Sequence, residues 1–137
     1  NIYVSADKLF DEAEVSAEDV LFLPGGPGHK SYLESQKLLD MLKSHDKAGG
    51  RIAAICAAPS ILGRLGLLDG KKAMCFPGFE QYLTGADIVT APARVVTDGN
   101  ITTSRGMGTS IDLGLELVRL LAGAEAADSL AVSTQYK

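Results

Sequence analysis

At 137 residues the chain is long enough for one domain with its own core, and 46% hydrophobic with 22% charged residues is a globular balance, not a disordered or fibrous one. A net charge of −4 argues against a nucleic-acid-binding surface, and no apolar run is long enough to span a membrane. Two cysteines without metal-type spacing, and no signal-peptide pattern, point to a reducing, cytoplasmic setting with neither a disulfide nor a bound metal.

Asn1 to Ser5 alternates apolar and polar residues and predicts a strand at a sheet edge. The chain enters that alternation directly, without Met, so a preceding N-terminal piece is expected. Asp7 to Asp19 reads as an acidic surface connection with one helical turn. Val20-Leu21-Phe22-Leu23 is fully apolar and predicts a central parallel strand. Pro24-Gly25-Gly26-Pro27-Gly28 then breaks regular structure. Consecutive glycines let backbone N–H groups turn toward a ligand or an oxyanion, although a plain turn has the same composition. The Gly-Lys-Ser/Thr ending of a nucleotide-binding loop is missing, and no cofactor is expected.

Ser35 to Ala48 predicts a helix, with Ser35 as N-cap, Leu38, Leu39 and Leu42 as its apolar stripe, and Gly49-Gly50 as its end. On this helix His45 falls on the polar side and is expected at the surface. Ile52 to Ile55 predicts a buried strand, followed by a helix over about Ser60 to Leu65 that stops near Gly66. Asp69-Gly70 is a turn, Lys72 to Phe76 a strand, and Phe79 to Leu83 a short helix. Alternation on the strand sends Cys75 into the core and Phe76 to the opposite face. Arg94 to Ser104, divided by Asp98-Gly99, predicts a hairpin with a type I′ turn. Gly106-Met107-Gly108 leads to the last long helix, capped by Thr109 with Asp112 three residues on, its face formed by Ile111, Leu115, Val118 and Ala122. Glu125 to Leu130 adds a short helix, and Ser133 to Lys137 reads as a loose tail. Alternating buried strands and helices give an α/β sandwich of three layers in one domain.

Cys56 stands where the buried strand turns sharply into a helix opened by Ala57, Ala58 and Pro59. Small neighbours on both sides are what a nucleophile elbow requires. A thiol at a helix N-terminus is favoured as thiolate, the reactive form, although a cysteine after an apolar strand is also a common inert core residue. In open α/β sheets ligands bind beyond the carboxyl ends of the strands, where both Cys56 and Gly25-Gly26 fall. His29 follows the glycine loop and reads as a solvated loop histidine near the site mouth.

Three segments, Leu23-Pro24-Gly25-Gly26, Ala53-Ala54-Ile55-Cys56-Ala57-Ala58-Pro59 and Thr103-Ser104-Arg105-Gly106-Met107-Gly108-Thr109, occur in an order and spacing that resembles the ThiJ/PfpI superfamily, in its deglycase and ThiJ-type branch. The resemblance implies a flavodoxin-like sandwich with a mostly parallel sheet, related to class I glutamine amidotransferases, and a homodimer. It implies Cys56 as nucleophile, with the N–H groups of Gly26 and Ala57 forming an oxyanion cradle. Arg105 and the following turn match the family's entrance to the last helix and are read as structural, with Met107 where the pattern has Pro. The family's glutamate beside the cysteine belongs to a segment that does not occur here; members carry roughly 50 further N-terminal residues, one βαβ-sized unit. Neither family histidine has a counterpart: Phe76 stands before Pro77 and Ala57 directly after Cys56.

Three functions follow from the resemblance. In the first, Cys56 attacks small aldehydes or glycated adducts in glyoxalase-like or deglycase-like chemistry, with the glutamate supplied by the upstream segment. In the second, Cys56 is a redox sensor in a stress-protective, chaperone-like protein without turnover, a reading favoured by Phe76. An amidotransferase- or peptidase-like hydrolase is weakest, because no Cys-His pair is visible. The expected partners are the small-molecule substrate, the N-terminal fragment as a separate chain, and a second copy of this chain.

Overall fold

The computed structural model describes residues 2–136. In chain order the elements are strand β1 (Val20–Leu23), helix α1 (Gln36–Lys47), strand β2 (Arg51–Ile55), helix α2 (Pro59–Arg64), strands β3 (Lys72–Ala73), β4 (Asp87–Ile88), β5 (Val95–Asp98) and β6 (Ile101–Ser104), and helices α3 (Ser110–Ala122) and α4 (Ala124–Ser133). The main sheet has the order β1-β2-β6-β5, with β1, β2 and β6 parallel and β5 antiparallel to β6. β3 and β4 form a separate parallel pair. The chain is thus an α/β sandwich with a mostly parallel sheet of flavodoxin-like type.

Alternation along the strands divides the residues between two faces. In register, Leu21 lies beside Ile52 and Ile101, and Leu23 beside Ala54 and Thr103. Leu23, Ile52, Ala54 and Ile101 pack in one cluster with Leu42 of α1 and Ile61 and Leu62 of α2. Each fully buried aliphatic side chain there contributes about 2 kcal/mol relative to exposure, so the core sits on this face. The opposite face carries Phe22, Ile55, Thr102 and Ser104 and is covered by α3 through Leu113 and Leu117. Its hydroxyls are satisfied locally: Thr97 Oγ1 lies 3.1 Å from Thr102 Oγ1 and donates to Glu116 of α3 at 2.9 Å.

Several sequence expectations hold. Ser35 caps α1, its Oγ accepting from Leu38 N–H at 3.3 Å, and Leu42 is fully buried. A single 3-10 turn, Phe10–Glu12, interrupts the acidic connection, and another, Glu80–Tyr82, occupies the predicted short helix.

Other expectations are corrected. Ile2 to Ser5 form no strand, and Ile2, Tyr3 and Val4 are exposed, because alternation without a neighbouring strand has nothing to pair with; Asn1 lies outside the described residues. β1 is an edge strand of the described sheet, not a central one, and Phe22 is 50% exposed. Pro27, Gly28 and His29, read as loop, open a 3-10 helix, Pro27–Glu34. The strand expected over 72–76 pairs only at Lys72 and Ala73. Beyond it, Met74 N–H donates to Thr103 Oγ1 at 3.0 Å and Phe76 N–H to Cys56 O at 2.8 Å, outside any ladder.

The hairpin forms one residue later than read. Gly99-Asn100 is its loop, and only Gly99, at φ +61°, is left-handed, so the turn is not type I′. On α3 the buried residues are Leu113 and Leu115, whereas Ile111 is 53% exposed. Thr109 makes no side-chain cap to α3, and Asp112 pairs elsewhere. The final residues are not loose: α4 reaches Ser133, and the Tyr136 hydroxyl donates to Asp112 at 2.7 Å. Lys137 lies outside the described residues.

His45 is the clearest reversal. Its ring is buried, with Nε2 3.1 Å from both Asp19 O and Arg51 O. Two carbonyl acceptors at one nitrogen mean that Nε2 carries the proton. Gly50 makes the space: a Cβ there would lie 2.3 Å from the ring.

Candidate functional site

β2 ends at Ile55, and α2 begins at Pro59. Cys56 makes the reversal at φ +66°, a left-handed conformation uncommon for a residue with a side chain. It costs an L-residue about 1–2 kcal/mol, so surrounding contacts must hold it. They are backbone contacts on both sides. Cys56 N–H donates to Ser104 O of β6 at 3.0 Å, and Cys56 O accepts from Phe76 N–H at 2.8 Å. Ser104 is itself fixed. Its Oγ donates to Arg94 O at 2.8 Å and lies 2.6 Å from Thr109 Oγ1, which accepts from Gly106 N–H at 3.2 Å. The Gly106–Thr109 turn therefore anchors the strand that holds the elbow.

The glycine bend closes the other side. A Cβ on Gly25 would fall 2.5 Å from Cys56 Cβ, 2.8 Å from Ile55 O and 3.0 Å from Ala57 N, so only glycine fits. Gly26 follows at φ +84°. The expectation for Gly26 concerned its N–H as a donor; the glycine packed against the cysteine is its neighbour Gly25, which that expectation did not name. Both residues of the expected cradle use their carbonyls in local bonds. Gly26 O accepts from His29 N–H at 3.1 Å and from the ring at Nδ1 at 2.8 Å; Ala57 O accepts from Ser60 N–H at 3.1 Å and Ser60 Oγ at 2.6 Å. Neither Gly26 nor Ala57 N–H donates to a backbone acceptor among the described residues.

The two thiols have different surroundings. Cys56 is partly exposed, and Cys75 is buried; both are free. Burial pushes the Cys75 thiol up to about 12, with the Glu80 charge adding to the shift. Cys75 is thus the core residue that alternation predicted. His29, expected as a solvated loop side chain, is instead held by Gly26 O and set edge-on to Phe79 at 5.3 Å between ring centroids. Phe76 meets the elbow through its backbone N–H, and its hydrocarbon side chain offers no proton carrier. Arg105 Nε is buried without a hydrogen-bond partner among the described residues, which its sequence neighbours did not signal. No group of three His, Cys, Asp or Glu side chains among the described residues is placed to share a metal ion, and no helix among them is long and apolar enough to cross a membrane.

The model of the DJ-1/PfpI family matches residues 2–120. The chain belongs to the DJ-1/PfpI family. It is 40% identical over 131 residues to protein DJ-1 homolog A of Arabidopsis thaliana, covering 94% of this chain but 33% of that protein. Oxidised Toxoplasma gondii DJ-1 superposes with a TM-score of 0.86 at 34% identity, over 96% of this chain and 72% of the other. Relatives named for an activity include a glutathione-independent glyoxalase of Caenorhabditis elegans (32% identical, 82% of this chain, 60% of the relative). A deglycase of Pyrococcus abyssi is 32% identical (86% of this chain, 71% of the relative). An isonitrile hydratase of Pseudomonas putida is 30% identical (86% and 52%). The chain thus spans about a third of the Arabidopsis relative and about half to three quarters of the others.

Proposed function

We propose that this DJ-1/PfpI protein uses Cys56 as a nucleophile toward small aldehydes or glycated adducts, in glyoxalase-like or deglycase-like chemistry. The observation that carries the reading is the left-handed, partly exposed Cys56, seated against Gly25 with no room for another side chain. Strain held in place by surrounding backbone bonds, at a side chain that solvent reaches, is a recurrent mark of a reactive site. The thiolate adds to the aldehyde carbon. A C–S bond forms, and the carbonyl π pair moves to oxygen, where the Gly26 and Ala57 N–H groups stabilise it. With a 2-oxoaldehyde such as methylglyoxal, the carboxylate that the resemblance implies takes the proton from the carbon now bonded to sulfur and returns it to the neighbouring ketone carbon, so that the first carbon is oxidised, the second is reduced to a carbinol, and a thioester results. One water then hydrolyses the thioester to a hydroxy acid and returns the thiol. The relatives named glyoxalase and deglycase support this choice of substrate class. The partners proposed are the substrate and a second copy in a homodimer.

The test is methylglyoxal turnover by the intact protein, wild type against Cys56→Ser. Loss of at least about a hundredfold in kcat/KM is expected, the ordinary consequence of removing a nucleophile. Equal rates end the proposal.

One observation favours a second reading. Phe76, bonded to Cys56 O through its N–H, stands where the resemblance puts a histidine and brings no imidazole, and a cysteine that oxidises without turning over needs none. Mild peroxide then adds oxygen to Cys56 selectively, as mass spectrometry of the intact protein would show, while methylglyoxal is not consumed.

A further inference from the structure

A cavity of about 300 Å³ is walled by the turn after the glycine bend, by α2 and by the loop after Cys75. Two of its residues clasp the carbonyls of the expected cradle: His29 holds Gly26 O, and Ser60 holds Ala57 O. The cavity is thus tied to the two cradle residues by hydrogen bonds to their carbonyls. The cavity is also cationic in a protein of net charge −4. Lys30 and Arg64 line it, and the ion pairs among the described residues use other cations, namely Lys37, Arg94 and Arg119. Arg64 is not loose. Its guanidinium lies 4.0 Å over the Tyr82 ring, which fixes its plane while leaving its donors unspent on any carboxylate. The carboxylate on the adjoining turn, Glu80, is turned back to accept from Gly78 N–H at 2.7 Å. Phe79 supplies an apolar wall against His29.

We propose that this cavity is an anion subsite: Lys30 and Arg64 hold the carboxylate or phosphate of a small molecule whose carbonyl end is presented to Cys56. The assignment rests on Cys56 being the reactive centre and adds to it the charge of the substrate. Guanidinium and ammonium donors to an oxyanion form charge-assisted hydrogen bonds, and a fixed guanidinium favours a planar or tetrahedral oxyanion in one orientation. A neutral aldehyde gains nothing from them.

Calorimetric titration of the intact protein with glycerol 3-phosphate and with D-glycerate, and with glycerol as the neutral control, tests this. Saturable binding of at least one anion and none of glycerol is expected, and the tighter of the two tells phosphate from carboxylate. Lys30→Gln and Arg64→Gln should each weaken binding by about tenfold or more, the loss of one charge-assisted contact. Arg64→Lys should recover part of it. The proposal is overturned if neither anion binds at millimolar concentration, if glycerol binds as well, or if both glutamine variants bind like wild type. Should Arg64→Gln fail to fold, Lys30→Gln decides alone, because that side chain is exposed. The probes carry no reactive carbonyl. Intact binding without methylglyoxal turnover thus removes the catalytic reading alone, and turnover without anion binding removes the subsite alone.

Discussion

Cys56 is held where an L-residue does not rest, and the contacts that hold it set how far each neighbour can change. Gly25 has the least latitude. Two of the three atoms that its Cβ would meet, Ile55 O and Ala57 N, are backbone, and the third is Cys56 Cβ at 2.5 Å, so no flexible side chain can yield. Gly25→Ala should destabilise the protein by about 2–4 kcal/mol, as overpacking against fixed backbone does. Urea unfolding measures it. Gly28→Ala is the control, since nothing lies within 4 Å of a Cβ there; equal midpoints for the two variants would mean that the bend does not press on the elbow. The thiols separate on burial. A thiol whose value is raised stays protonated until pH passes that raised value, so Cys75, at about 12, remains neutral and buried through the range in which alkylation is run. Iodoacetamide at mildly alkaline pH should therefore label Cys56 and leave Cys75 unmodified. Peptide mapping that finds comparable labelling at Cys75 would contradict its place in the core.

At the level of elements, what the sequence made legible is what both faces of the sheet bury. Ile52–Ile55 and Ile101–Ser104 are buried, so their residues are small or apolar without interruption; the first strand was readable from that run and the second from its β-branched residues after a turn. The elbow was readable for the same reason: alanines on either side of Cys56 leave little besides a tight turn. What escaped depends on partners far along the chain. His45 looks polar on its own helix but is buried because Gly50, five residues later, vacates the space for its ring. Asp112 looks like a helix cap but pairs with Arg94, 18 residues earlier, at 2.6 Å and accepts from Tyr136, 24 residues later. No local pattern announces such contacts. They also carry a pH signature. Burial works to raise the Asp112 carboxyl, but the Tyr136 hydroxyl and the Arg94 guanidinium outweigh it and hold the group below the ordinary aspartate value. A depressed carboxyl stabilises the fold above its unfolded value, about 3.9, and that stabilisation is lost as pH falls through the folded value. Asp112→Asn should lower the melting temperature by a few degrees at neutral pH, and the deficit should shrink on acidification below the ordinary value. Calorimetric scans across that range show it; a deficit independent of pH would assign the loss to packing instead of charge.

For the whole molecule, the two sides of the sheet end differently. On one side, β5 is tied in: Asp98 accepts from Lys72 N–H at 2.8 Å, and Thr97 reaches α3. On the other, β1 is the outermost strand of the described sheet, and Phe22 is half exposed beside an apolar groove of about 250 Å³ that it shares with Ile55, Leu113 and Leu117. An open strand edge next to exposed hydrocarbon is the feature through which sheets extend themselves. The polypeptide of these 137 residues, at a net charge of only −4, has little repulsion to oppose it. For this polypeptide by itself the expectation to be tested is a second copy set strand to strand along β1, since each copy presents the same unpaired backbone there. Isolated as this polypeptide, the chain should therefore self-associate with rising concentration in sedimentation velocity, and Phe22→Lys should move it toward monomer. That substitution should cost about 1 kcal/mol or less, since half of the ring already meets water and a lysine stem can lie along the groove. Identical sedimentation of the two forms, with melting curves showing both folded, would mean that β1 is not the surface through which copies meet.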